Sequence, residues 1–223
     1  MMSQSLLASG EDPLHALCLH FNVQKIMPGY FSPADMPETL DFPVLHDSRM
    51  PTHVLALYPP YHNNYTSARP LIAPVDADLY NQGFRVDLIP PSPPGSTRPV
   101  PHSTSQGLYV SVPLVLPLTT VPHPPSMSLL LLFALGLETS INDLAYCMLP
   151  VSVVDEFPNA AAMAQVMVSL SEEEFERRFQ FNMGLWKNVL GLGVMNNRVI
   201  EVVRLAFNVT AEARRLRNRQ LNE

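Results

Sequence analysis

The rhythm of apolar positions changes near Pro125, and that change divides the predicted elements. Upstream, apolar residues come in short runs cut by proline. Thr52 to Tyr58 is a nearly continuous apolar run between prolines, the pattern of a buried strand. Arg69 to Ala73, Arg85 to Ile89 and Leu108 to Leu114 read as further strands, and Asp76 to Gly83 as a helical turn. A short helix is predicted from Pro13 to Val23, since proline fits the first turn and Leu14, Leu17, Cys18 and Phe21 share one face. The stretch from Pro28 to Pro51 reads as irregular.

Downstream the period becomes helical. Ser126 or Ser128 caps a helix running to about Leu137, with Gly136 near its end. Ser140 caps Ile141 to Leu149, which Pro150 stops, and a third helix is expected from Phe157 to Leu170. Ser171-Glu-Glu-Glu174 matches a capping box, in which the serine and glutamate side chains satisfy free backbone donors. Phe175, Phe179, Met183, Trp186 and Leu190 then recur at a helical period until Gly191 and Gly193. From about Asn197, Val199, Val202, Val203, Ala206, Val209, Ala213 and Leu216 again fit one face.

Proline accounts for the division. Twenty of the 23 prolines lie between Pro28 and Pro125, so that stretch cannot be mainly helical. The fold class expected is α+β: a small sheet with helices, then a C-terminal helical extension. Three regions follow: an irregular N-terminal segment with a short helix (1–49), an α+β module with a Pro-rich loop at 90–105 (50–150), and a helical segment (151–223).

Composition sharpens this. With 47% hydrophobic and 15% charged residues, the chain can bury a sizeable core and presents a poorly charged surface that favours association. The net charge is −6, with 13 acidic and 5 basic residues in 1–170 against 7 and 9 in 171–223. That balance lacks the basic footprint of autonomous nucleic-acid binding. Cys18 and Cys147 are two isolated thiols, not a disulfide scaffold. The most apolar run, Met127 to Leu137, is too short to span a bilayer. The N-terminal apolar stretch has no basic lead and is cut by Glu11, Asp12 and Pro13, so no signal peptide is predicted. The expected location is nuclear or cytoplasmic, with no membrane partner.

Candidate chemistry is sparse. Gly191-Leu-Gly193 reads as a helix end rather than a phosphate loop. His15-x-x-Cys18-x-His20 has no second ligand pair at a zinc-site distance. His46, Asp47 and Ser48 are triad types, but side chains of immediate neighbours diverge. His53 reads as a core or interface histidine. Asp155 and Glu156 are adjacent and do not converge, and Glu172, Glu173, Glu174 and Glu176 complement a helix start. The sequence therefore assigns no catalytic, cofactor-binding or metal-binding residue. Two features suit protein partners. Pro90, Pro91, Pro93 and Pro94 contain the Pro-x-x-Pro pattern that aromatic grooves recognise, with Ser92-Pro93 a candidate phosphorylation site, though a solvated loop accounts for them more simply. Arg214, Arg215, Arg217 and Arg219 form either an anion-binding or nuclear-import patch or a set of cations stabilising a helix C-terminus. Phe175, Phe179 and Trp186 read most simply as core, a spacing that a partner-binding face would share.

Three passages together resemble a known family. They are Met50-Pro-Thr-His-Val-Leu-Ala-Leu-Tyr58; Leu108-Tyr-Val-Ser-Val-Pro-Leu-Val-Leu-Pro117 through Pro124 and Leu129–Leu132 to Leu144-Ala-Tyr-Cys-Met-Leu-Pro150; and Gly184-Leu-Trp-Lys-Asn-Val-Leu-Gly-Leu-Gly-Val194. Their order and spacing resemble the clampless-type proteins of basidiomycete fungi over roughly residues 50–210. The resemblance implies a nuclear regulator of sexual development, needed for clamp cells and the dikaryotic cell cycle. Such a regulator acts with homeodomain or other transcription regulators and has no catalytic activity. The middle passages also resemble a BTB/POZ fold: a strand, a helix start at Val75-Asp-Ala-Asp-Leu79, a strand with Val112-Pro113, and a helix pair. That likeness implies a homodimer, or an adaptor recruiting clients to a ubiquitin-ligase scaffold. Asn196, Asn197, Val199 and Ile200 depart from the family pattern and mark a divergent member.

Overall fold

The computed structural model describes residues 7, 10–27, 29, 33–59, 69–91, 95, 97–117 and 119–220. Its class is α+β, with a mixed sheet of five strands and eight α-helices among the described residues. β2 (His53–Leu57) and β3 (Leu71–Val75) form an antiparallel hairpin. β5 (Gly107–Val115) joins β2 in parallel through Val54↔Leu114 and Leu55↔Val115. β1 (Thr39–Pro43) lies antiparallel on the far side of β5, and β4 (His102–Thr104) pairs with the start of β5. Every residue of β2 is buried, which is why its sequence reads as an uninterrupted apolar run.

Three strand expectations change. β1 lies in the stretch read as irregular, and β4 lies inside the predicted Pro-rich loop. Arg85 to Ile89, expected as a strand, belongs to no strand. Its backbone instead turns to the end of the long helix α7 (Glu172–Leu192). Arg85 N donates to the Leu192 and Gly193 carbonyls at 3.2 and 3.0 Å, and Val86 N to Leu192 at 3.2 Å. Those carbonyls have no partner inside their own helix, so docking there satisfies both sides. β3 starts two residues later than expected, at Leu71.

Proline enters the sheet where a missing N–H does no harm. Leu114 N donates to Glu38 O on the β1 side of β5. The nitrogen of Pro113 therefore faces the opposite side, between the last β4 pair at Tyr109 and the first β2 pair at Leu114. Pro74 lies in β3, an edge strand.

The helices follow their caps. Asp12 accepts from His15 N and starts α1 (Pro13–His20); Asp76 accepts from Asp78 N and Leu79 N and starts α2 (Ala77–Gly83). α3 (Met127–Ala134) is apolar all round, and all eight of its residues are buried, the mark of a central helix. It packs against α1, α2 and α7. Ser126 precedes it without a side-chain cap, and Gly136 ends the turn at a φ of 69°. Ser140 caps α4 (Ile141–Met148) as expected. Pro150 ends that helix and also opens the one-turn α5 (Val151–Val154). Asn159 caps α6 (Ala160–Val168), and Ser171 caps α7 by accepting from Glu174 N. α8 (Asn197–Gln220) runs back across α4, α6 and α7.

The buried side of α7 differs from the aromatic spacing. Phe175, Asn182, Leu185, Val189 and Leu192 are buried, whereas Leu190 is 62% exposed. The Gly184-to-Val194 passage serves packing on several sides at once. Gly184 lies against the His123 ring; a β-carbon there would stand 2.2 Å from His123 Cγ. Asn188 holds the same turn with side-chain bonds to backbone: His123 N donates to Asn188 Oδ1 at 2.8 Å, and Asn188 Nδ2 donates to His123 O at 2.7 Å. Trp186 stacks on Phe207 of α8 with centroids 6.1 Å apart. Gly184→Ala is therefore expected to cost about 1–3 kcal/mol by overpacking. A thermal melt checks it, and an unchanged melting temperature would mean the His123 ring is not held there.

Candidate partner-binding surface

Two of the four C-terminal arginines are spent inside the fold. Arg217 and Arg214 are three residues apart on α8, so both face α6 and α7. The Arg217 guanidinium donates to Val168 O at 3.0 Å and to Leu170 O, pairs with Glu172, and lies 4.2 Å over the Phe175 ring. It caps the C-terminus of α6, where the last carbonyls lack partners. Arg214 pairs with Glu176 at 3.1 Å and lies 4.3 Å over Phe179. The aromatic stripe is thus covered by α8, with two guanidinium planes and Phe207 over its three rings. Arg215 bonds Glu212 on its own helix, at 3.2 Å, and is exposed, as is Arg219.

The other sequence candidates lie apart from this cluster. Pro90 and Pro91 are exposed and edge a cleft of about 730 Å³ shared with Asp78, Asn81 and Asp87. Pro93 and Pro94 lie outside the described residues. His15 Nδ1 bonds Glu11 at 2.7 Å, and burial pushes the Cys18 thiol up to about 12. Among the described residues, no three His, Cys, Asp or Glu side chains are placed to share a metal ion. His46, Asp47 and Ser48 sit in an exposed turn. His53 Nδ1 meets Thr52 Oγ1 at 3.1 Å, but that hydroxyl also accepts from Ala77 N at 2.8 Å at the start of α2. It thereby satisfies a free backbone donor at the start of α2.

An apolar groove on the helical layer was not predicted from the sequence. Its volume is about 350 Å³, and its walls are Ile141, Asn142, Ala145 and Leu149 from the α4 region against Val202 and Leu205 from α8. Met163 of α6 and Val154 of α5 complete the lining, and Phe157 stands at its mouth, 62% exposed. Tyr146 and Val151, 44% and 59% exposed, lie in the same short stretch of chain. Large apolar side chains concentrated on a surface mark a site of association. The sequence offered only a weak signal for it: Val151 and Phe157 lie between Pro150 and Pro158, with Asp155 and Glu156 between them.

No protein-family model, curated protein or solved structure matches the chain. Among the described residues, no helix is long and apolar enough to cross a membrane.

Away from the groove, three half-buried histidines make the fold acid-sensitive. Burial lowers the pKa of His20, His53 and His123 below the ordinary 6.5; Arg49 and Lys187 add to the effect at His20 and His123, and Asp76 opposes it at His53. The unfolded chain binds protons that the folded chain refuses, so stability is full above 6.5 and falls as pH drops through the lowered values. Denaturant midpoints at roughly pH 5 should lie below those at roughly pH 7.5. Equal midpoints would mean these rings are not desolvated. The arginines give a second contrast. Arg217→Ala is expected to cost about 1–3 kcal/mol, because two part-buried carbonyls lose a charged donor. Arg215→Ala should stay within about 0.5 kcal/mol. Urea titrations of the two variants measure the difference.

Proposed function

We propose that this chain is a non-catalytic regulator that works by binding other proteins. In this reading it is a divergent member of the clampless-type family, acting in clamp-cell and dikaryotic development through transcription or cell-cycle proteins in the nucleus. The observation that carries the binding role is the open groove between α4 and α8, with the exposed Phe157 in its lining. An apolar surface of this kind is maintained against solvent when a partner covers it. The polar residues nearest to a catalytic pattern have structural partners: Ser126, His123 and Asn188 bond one another, and Thr52 and Asp76 accept from the first backbone donors of α2.

The element order supports the BTB-like part of the proposal. β3, a helix beginning after Val75-Asp76, β5 carrying Val112-Pro113, and the pair α3 and α4 follow in the sequence the resemblance implies. That same order favours, as a second reading, an adaptor for a ubiquitin-ligase scaffold. Proximity labelling of the tagged protein in mating fungal cells separates the two. Enrichment of homeodomain or other transcription regulators is expected. Enrichment of cullin machinery instead would replace the regulator with the adaptor, and enrichment of neither would sink both.

A further inference from the structure

We infer that the α4–α8 groove takes an amphipathic helix of a partner protein, one whose apolar stripe is bordered by lysine or arginine. The inference rests on the protein-binding reading above and names the class of partner.

The walls decide the shape of the occupant. Ile141, Ala145, Leu149, Met163, Val202 and Leu205 come from helices or their caps, whose backbone groups are largely used within their own turns. No sheet edge lies in the lining, so an extended peptide would find no ladder to join. A helix brings its own backbone bonds already made and offers only side chains, which is what this surface can bind. On α4 the lining follows a ridge, Ile141, Ala145, Leu149, with the small Ala145 at its middle. That leaves a notch opposite Val202 and Leu205 into which an apolar anchor can fit.

The rim decides the charge. Asp155 and Glu156 directly precede Phe157, and Glu201 directly precedes Val202; all three are exposed. Arg198, one turn before Val202, is the cation aligned with the groove. Asp143 and Arg204 lie on other sides of α4 and α8 by helical spacing. Three carboxylates against one guanidinium favour a basic border on the occupant. They disfavour a second copy of this chain, whose own groove carries the same acidic rim.

The test uses the full chain and a fluorescent helical peptide of about 16 residues, with leucines at helical spacing on one side and lysines beside them. A twin peptide carries glutamate in place of each lysine. Fluorescence anisotropy should show saturable binding of the lysine peptide and binding of the glutamate peptide weaker by roughly ten-fold or more. Phe157→Ala should weaken the lysine peptide by a similar factor, and this exposed residue can be replaced without disturbing the core. The pair Asp155→Lys and Glu156→Lys should erase the preference between the peptides. Circular dichroism melts confirm that each variant is folded. Equal binding of both peptides, or binding indifferent to these substitutions, would overturn the inference. So would a stable dimer by sedimentation that Val202→Glu dissolves, because the groove would then be filled by the chain itself. Proximity labelling by Phe157→Ala separates this inference from the regulatory reading. Unchanged nuclear neighbours despite lost peptide binding would remove the groove as the partner site and leave the regulator standing. Intact, groove-dependent peptide binding without nuclear neighbours would support the groove and sink the regulator.

Discussion

The clasp between Asn188 and the turn Pro122-His123-Pro124-Pro125 joins the sheet to the helices. One amide side chain supplies both the acceptor for His123 N and the donor to His123 O, so a half-buried turn that follows β5 finds its hydrogen bonds on a helix far along the chain. A turn so rich in proline has few backbone donors of its own, and an unpaired buried group would cost about 1–3 kcal/mol. Asn188 also donates to Ser126 Oγ at 3.1 Å, which fixes the start of the fully buried α3. The clasp requires close approach, and Gly184 one turn earlier provides it. Remove this joint and α3 loses its fixed entry while α7 loses its seat.

Around that joint the helical layer is assembled by α8. Arg217 and Arg214 reach from it to the end of α6 and the face of α7, and each guanidinium combines a carboxylate with an aromatic ring. The planar fork suits both contacts at once in a way lysine would not. The cost of committing these cations inward is that the basic C-terminal segment offers less positive surface than its composition suggests. The groove's acidic rim is left without a cation from this cluster.

What could be read from the sequence followed what is local. A proline suited to the first turn placed α1, capping serines placed α4 and α7, and the unbroken apolar run placed β2. The misses were all tertiary. β1 and β4 are short, proline-flanked and partly polar, and they exist because β5 supplies their ladders. Arg85 to Ile89 has strand-like residues, yet the free carbonyls of α7 captured its backbone. Two buried asparagines, Asn182 and Asn188, disguised the true inner face of α7, which polar pattern alone assigns to solvent. The groove was invisible for a related reason: its walls come from α4, α6 and α8, and no periodicity within one helix reports a gap between several.

The position of β5 has a consequence for how the chain acquires its fold. Among the described strands, β5 alone pairs with β1, β2 and β4. The β2–β3 hairpin can close early, but β1 waits for a partner made much later in synthesis. The parallel β2–β5 ladder likewise needs the intervening loop to be closed first. Such non-local pairings slow folding and leave strand edges open in the meantime. The prolines of β1 and β3 then have a role in time as well as in space. Each removes a donor from an edge that would otherwise template pairing with another nascent chain before β5 arrives.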